Sequence, residues 1–544
     1  MIARKSFLIV ISYFFTRFLG WIGLVVLAKL WGDFAPEALG IIGFAMAFIG
    51  VFDIIADLGF SSAHVKRISE GKDLGSCIGT YAAIKIILTT IMVAVVFSGI
   101  YIWKNVFNEN FTDATTESVV VVFVIYYIFV NLIQISTSTF QGRKEIAKRQ
   151  ITQMFEGVKT PLMILVALAG VNIAGIVPAV SWPEFLQPLQ QFLADHSVGS
   201  LAMTHAISLM ASFFVGFWFL RKYPIKRPDW KLFKSYLSYA LPVMLFSVIG
   251  VLSVNIDKIM IGYFWTSTEV GYYFTIQQIL NIVAVLYLAV NTVLFPTISE
   301  FHSLNNIAKI KETTHLAERY TSMVLVPPVI VIIVFVYPVI NIMLNSSFLP
   351  AAPVLIIMML YLFMFSINRP YGSLIRGIDR PDLTVKIGLG SCIANIVMNL
   401  LFIPKNGLLS NLSIGQYVIS INGATGAAVA TGLSTLVGFF GLRLVSKKLI
   451  GIKLFQTHTP RHIIAGLVTG GILYYLAYET SLFPTIHWYY LLMFAGLGLG
   501  IYLLVLFVLR EFNKDDLKFF LDILRPREML KYISSELKDD PKKK

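Results

Sequence analysis

Apolar stretches of about twenty residues recur along the whole chain, and that is the length a helix needs to cross the roughly 30 Å hydrocarbon core of a bilayer. They can be read at 6–30, 38–63, 74–103, 118–140, 151–170, 199–220, 235–263, 269–299, 318–341, 353–375, 384–403, 423–443, 462–480 and 487–509, fourteen in number. Charge is too sparse to wet a soluble surface. Of the 544 residues, 14% are charged and 57% hydrophobic, whereas an average soluble chain is about 25% charged. Several soluble domains are therefore excluded, and the expected class is an all-α polytopic membrane protein of about 14 transmembrane helices.

The net charge of +14 would suggest nucleic acid in a soluble chain. Here its distribution over the loops explains it. With the N-terminus inside, the inside loops and tail carry 36 Lys and Arg, beginning at Arg4 and Lys5, and the outside loops carry Lys104 and Lys405 alone. That asymmetry is the positive-inside signature. It predicts a multi-pass cell-membrane protein with both termini cytoplasmic, and it removes the need for a nucleic-acid partner. The run to Leu30 is too long for a signal-peptide core and reads as a retained first span. Cys77 and Cys392 fall at or inside apolar segments, so neither a disulfide framework nor a metal site is expected. The sequons at Asn110, Asn345 and Asn411 all fall in outside loops, which are polar in any case.

The most basic loop, 221–234, follows the sixth span and reads as a cytoplasmic linker between halves. Gly32, Ala38-Leu39-Gly40 and Ile68-Ser69-Glu70 rhyme with Gly262, Glu269-Val270-Gly271 and Ile298-Ser299-Glu300 at an offset of 230–231. Six spans per half gives both halves one orientation, the parallel-repeat arrangement of some transporters. The expected organisation is an N-terminal lobe at 1–220, the linker, a C-terminal lobe at 235–445, two additional spans at 446–510 and a cytoplasmic amphipathic, basic tail at 511–544.

Ionisable residues inside spans are costly and usually face a cavity or a partner. Measured at about 1.5 Å per residue from the inside end, Arg17, Asp53 and Lys85 lie near mid-bilayer. Asp57 lies one turn nearer the inside on the face of Asp53, and Lys159 and Arg369 are slightly shallower. An Arg17–Asp53 ion pair is the structural alternative to a functional role for either. Lys85 lacks an obvious acid at its depth, which suggests an anionic ligand or a water-filled cavity. Lys29 and Lys258 can snorkel outward. Arg369 precedes Pro370, where the helix is expected to open, and either lines a cavity or snorkels. Asp257 is open between an ion or substrate contact and pairing with neighbours. Six in-span cations against three clear in-span acids, Asp53, Asp57 and Asp257, suit an anion, and phosphate is the one Lys and Arg recognise best.

Three stretches resemble one family. They are Ala56-Asp57-Leu58-Gly59-Phe60 before a basic loop; Asn255-Ile256-Asp257-Lys258-Ile259-Met260-Ile261-Gly262, followed by Val270-Gly271-Tyr272-Tyr273; and Asn395, Asn399, Ile403-Pro404 and Gly407, then Gly426-Ala427-Ala428 and Ala430-Thr431. Over roughly residues 1–445 the chain resembles the Wzx-type polysaccharide and O-antigen flippases of the multidrug/oligosaccharidyl-lipid/polysaccharide exporter superfamily. The resemblance implies a MATE-like fold of two pseudo-symmetric six-helix lobes around a central cavity, working by alternating access. It implies as substrate a lipid-linked glycan, a sugar on polyprenyl or dolichyl phosphate or diphosphate, moved from the cytoplasmic to the outer leaflet. Membrane lipids and glycan-assembly enzymes are the implied partners. By location Arg17, Lys85, Arg369 and Lys159 are the candidate substrate-binding cations, and Asp53, Asp57 and Asp257 the candidate coupling or cavity acids. Two segments, 171–200 and 408–422, depart from the family pattern and enlarge the outer face.

Two rivals remain. A Na⁺- or H⁺-coupled small-molecule exporter on the same fold would rely on the three acids. A membrane glycan polymerase or glycosyltransferase would need catalytic groups outside, but the largest outside loop offers only His196, Glu184 and Asp195. No P-loop or phosphate cradle occurs. The expectation is a transporter and not an enzyme, without a cofactor beyond a coupling Na⁺ or H⁺; the membrane potential or removal of substrate outside would also serve as driving force.

Overall fold

The computed structural model describes residues 2–106, 114–170, 182–414, 417–480, 483, 486–513 and 516. Nearly all of them are helical, as the composition requires: within hydrocarbon each backbone N–H and C=O must be bonded inside its own segment. The order is α1 (Ile2–Trp31), α2 (Ala35–Asp57), α3 (Phe60–Ser69), α4 (Leu74–Asn105), α5 (Ala114–Gly142), α6 (Ile146–Met154), α7 (Lys159–Ala169), α8 (Gln187–Asp195) and α9 (Ser197–Leu220). Then follow α10 (Trp230–Phe264), α11 (Ser267–Ser303), α12 (Ile307–Val334), α13 (Val336–Met343), α14 (Ala352–Gly377) and α15 (Pro381–Phe402). A two-stranded antiparallel hairpin, β1 (Asn411–Ile414) with β2 (Tyr417–Ser420), precedes α16 (Gly423–Ile450), α17 (His458–Tyr474) and α18 (Trp488–Val508).

Twelve described stretches are long and apolar enough to cross a membrane. The count of fourteen differs for two physical reasons. The first stretch, Ser12–Asp57, holds α1 and α2 end to end, and α17 is only 17 residues long before it runs into a π-turn. The sequon Asn110 and positions 171–181 lie outside the described residues, as does the tail beyond 516. Cys77 and Cys392 are both buried free thiols.

By packing the chain forms two compact units, one of Ile11–Phe274 and one beginning at Thr275, so α11 starts in the first and continues in the second. In the first unit α5 packs against α9, α2 and α3, and α10 packs against α2, α3 and α4. Phe60, Cys77, Tyr81, Ile84, Leu232 and Tyr236 form a core where α3, α4 and α10 meet. Two glycines decide another approach. A Cβ on Gly40 would lie 1.6 Å from the Ser267 carbonyl oxygen, and one on Gly271 1.8 Å from that of Pro36. These are the matched glycines of the sequence rhyme, and they face each other. Small residues are what let helix backbones touch in lipid, where the hydrophobic effect offers no drive.

The Ala-Asp-Leu-Gly-Phe stretch is a hinge between helices. Leu58 (φ 45°) and Gly59 (φ 83°) are both left-handed and end α2 six residues before the sequence places the span's end. Gly59 also needs its missing Cβ, which would sit 2.9 Å from the Ala240 carbonyl of α10.

In the second unit α16 packs on α14 and α15, and α12 packs on α14 and α17. Pro370 lies inside an unbroken α14. The expected opening there does not occur, because a proline deletes one N–H and neighbouring helices hold the rest of the turn.

Candidate functional site

Lys85 of α4 is wholly buried, and a buried ammonium needs acceptors for its three N–H groups. It has three: the Ala56 carbonyl at 2.9 Å, Asp57 Oδ1 at 2.9 Å and Asn131 Oδ1 at 3.0 Å. Asn131 of α5 in turn donates to Asp53 Oδ1 at 2.6 Å and to its own-helix Tyr127 carbonyl at 3.0 Å. The two acids of α2 are thereby tied to α4 and α5 through one lysine and one amide. Asp57 also accepts from the Ser61 N–H at 3.3 Å and hydroxyl at 2.9 Å, so the same carboxylate holds the first turn of α3.

This corrects the pairing read from depth along the helices. Lys85 does have an acid; its long stem spans the one turn, about 5.4 Å, by which Asp57 is displaced. Asp53 pairs through Asn131 and not with Arg17. Arg17 is exposed on α1 and makes no ion pair among the described residues. Lys159 opens α7 at the break in the fifth span and stands 3.8 Å from Glu156. Arg369 is exposed, with its guanidinium over the Phe365 ring at 5.3 Å. Asp257 is buried and accepts from the Tyr273 hydroxyl at 2.6 Å. Lys258 does not snorkel: it is 6% exposed and donates to the Val254 carbonyl at 2.9 Å. Of the seven candidates, the structure brings together Lys85, Asp53 and Asp57.

A brace sits beside this network toward the basic loops. His64, fully buried, bonds the Tyr236 hydroxyl and the Thr139 hydroxyl, each at 2.9 Å, and stacks on Tyr81 with ring centroids 4.1 Å apart. The 221–234 linker is laid over the start of α4. Its Lys226 N–H donates to the Gly75 carbonyl, and the Asp229 N–H to the Thr80 hydroxyl. Lys226 also reaches Asp73 at 2.8 Å, and with the Ser76 N–H it holds the Asp73 carboxyl down at about 2.

The second unit has a charged centre that the sequence reading missed. Glu318 and Arg443 are buried and paired at 2.8 Å. Tyr371 donates to Glu318 at 2.6 Å and Thr459 at 3.1 Å, while Arg443 also donates to the Leu454 carbonyl at 2.7 Å. Arg443 ends the apolar stretch at 423–443; α16 continues to Ile450 and carries it inside. Next to this centre Arg319 grips the start of the tail. It donates to Glu511 Oε1 at 2.9 Å and to both oxygens of Asp516 at 2.7 and 2.8 Å, and Arg461 reaches Glu511 Oε2 at 2.8 Å. The tail therefore begins as an anchored segment and not as a solvated one.

The profile of the family described as "Polysaccharide biosynthesis protein" matches residues 2–302, more than half of the chain. The chain belongs to that family. It is 23% identical over 477 residues to the probable low-salt glycan biosynthesis flippase Agl15 of Haloferax volcanii, covering 87% of this chain and 89% of the relative. Among solved structures it is similar to the lipid II flippase MurJ in an inward closed conformation, with TM-score 0.69, 16% identity, and 95% of this chain and 99% of that one covered. It is also similar to an inward-facing multidrug resistance MATE family transporter, with TM-score 0.59, 13% identity, and 80% and 95% coverage. The fold is thus that of MurJ and the MATE transporters, and the family member described here is a multi-pass membrane protein.

Proposed function

We propose that this protein is a flippase that moves a lipid-linked oligosaccharide or polysaccharide precursor from the cytoplasmic to the outer leaflet by alternating access. The observation that carries the reading is near full-length similarity to a protein named as a glycan biosynthesis flippase, on a chain that belongs to the polysaccharide biosynthesis family. The physical task fits a bundle with ionisable groups within its spans. A sugar phosphate cannot enter hydrocarbon without losing its hydration, a cost of many kcal/mol, and a cationic, hydrated path lowers it while the lipid tail stays in the bilayer. The small-molecule exporter is the weaker reading, since the MATE likeness shows the fold alone.

Arg17 is the residue assigned to the phosphate-linked headgroup in the first unit, because it is a mid-span cation that is exposed and without an acid partner among the described residues. Arg369 has the same character in the second unit, and Lys159, only loosely paired at 3.8 Å, is a further contact. Lys85, with its three N–H groups already engaged, is a positioning residue for Asp53 and Asp57 in this reading. Asp53 is the acid assigned to any Na⁺ or H⁺ coupling: one of its oxygens takes the Asn131 bond, and the other has no hydrogen-bond partner among the described residues. Asp257 is tied up by Tyr273. The 36-to-2 split of basic residues supports cytoplasmic termini, and the rhyme across the 221–234 linker supports two repeat lobes around a central cavity. Glycan-assembly enzymes are the partners such a cargo implies.

Charge reversal tests the assignment. Arg17→Glu, confirmed as inserted at wild-type level, is expected to abolish the appearance of lipid-linked glycan on the outer leaflet, whereas Arg17→Lys retains most of it. Unchanged transport in Arg17→Glu would remove the phosphate-binding role from this residue.

A further inference from the structure

In the first unit, α4 and the start of α10 enclose a cleft of about 490 Å³, within the range of about 300–1,000 Å³ typical of small-ligand sites. Ile84, Ile87 and Leu88 of α4 form one wall and Trp230, Phe233 and Leu237 of α10 the other, with the α2–α3 hinge closing one side. Ile87 is 58% and Trp230 66% exposed. These are apolar side chains on a spanning helix and at the first turn of another, so lipid is what lies against them.

The polar groups on the walls are already used. The Thr80 hydroxyl accepts from the Asp229 N–H, and the Asp229 carboxylate accepts from the Lys231 N–H as the cap of α10. The rest of the lining is apolar, so a hydrocarbon occupant fits the cleft better than the glycan end of a cargo. The rim is different. Arg227, Lys231 and Lys234 are exposed on the segment that supplies the apolar wall, and the Lys234 ammonium lies 5.7 Å from the centroid of the Trp230 ring. Trp with Lys at a helix end marks the headgroup level of a bilayer, and a polybasic run at that level attracts anionic lipid.

We propose that this cleft is a binding site for an anionic glycerophospholipid of the leaflet on the basic side, with one acyl chain between α4 and α10 and its phosphate on Lys231 and Lys234. A bound lipid would tie the first turns of α10, and with them the end of the 221–234 linker, to α4. A lipid held there does not depend on what the protein transports.

The test is native mass spectrometry of the purified full chain titrated with phosphatidylglycerol, with phosphatidylcholine, and with a polyprenyl phosphate as competitor. The wild type is expected to retain one phosphatidylglycerol with about tenfold preference over phosphatidylcholine and to keep it against equimolar polyprenyl phosphate. Lys231→Gln/Lys234→Gln is expected to lose that preference, and Ala83→Phe, which fills the cleft, to lose the retained lipid itself. The lysine variant alters only exposed side chains, so it carries the test alone where Ala83→Phe fails to insert. Unchanged headgroup preference in the lysine variant overturns the proposal. So does displacement of phosphatidylglycerol by the polyprenyl phosphate, which would make the cleft part of the cargo path.

Discussion

Replacing Asp57 by Asn should destabilise the first unit more than replacing Lys85 by Met, and the two changes together should cost less than their sum. Lys85 is 0% exposed and Asp57 22%. Asp57→Asn leaves a buried ammonium with neutral acceptors alone, the Ala56 carbonyl, Asn131 Oδ1 and the new amide oxygen, and breaking a buried ion pair in this way costs about 3–5 kcal/mol. Lys85→Met leaves a carboxylate that keeps both Ser61 donors and some solvent. Its main loss is the partner of Asn131 Oδ1, worth about 1–3 kcal/mol. In the double variant no charge is stranded, so the coupling should far exceed the ~0.5 kcal/mol scatter of independent sites. Thermal unfolding in detergent reads this directly. Asp57→Asn should fall by on the order of 10 °C, at about 2–4 °C per kcal/mol for a unit of this size. Additive effects, or a larger drop for Lys85→Met than for Asp57→Asn, would refute the geometry.

Gly40→Val and Gly271→Val should each prevent accumulation of folded protein, since the added carbon would overlap a carbonyl at 1.6 and 1.8 Å; Gly471→Val, with open space around it, should accumulate normally in the same expression assay. Arg461 and Arg319 outweigh burial at Glu511, and Arg319 does so at Asp516, holding both carboxyls below their ordinary 4.5 and 3.8. Depressed folded values mean stability that is present above those ordinary values and lost as pH falls through the lowered ones. The melting-temperature gap between wild type and Arg319→Ala should therefore be full near neutrality and close below about pH 4; a gap independent of pH would show that the anchor is not ionic.

What the sequence revealed and what it hid follow from the same physics. Hydropathy marks every spanning segment because lipid allows no other code, and the positions of Asp53, Asp57 and Lys85 were visible as charges that hydrocarbon would not tolerate alone. Their pairing was not visible. Depth along separate helices ignores the reach of a lysine stem and the end of α2 at Leu58–Gly59, which turns Asp57 toward Ser61. Asn131, neutral and unremarked in an apolar run, is the piece that joins Asp53 to Lys85. Glu318 and Arg443 were hidden for the opposite reason: they are the first and last residues of the apolar stretches at 318–341 and 423–443, where a span meets a basic loop, so neither stood out as a charge within a span. The anchoring of Glu511 and Asp516 by Arg319 joins residues nearly two hundred positions apart, a contact that no local pattern encodes.

The central claim is tested most directly by reconstitution. The purified protein is placed in vesicles loaded with a lipid-linked oligosaccharide in both leaflets, and the fraction open to an added, membrane-impermeant glycosidase is followed in time. A flippase is expected to carry cleavage past the half of the substrate already facing outward toward completion, with Arg17→Glu vesicles stopping at one half. Wild-type vesicles that also stop at one half, like protein-free ones, would contradict it.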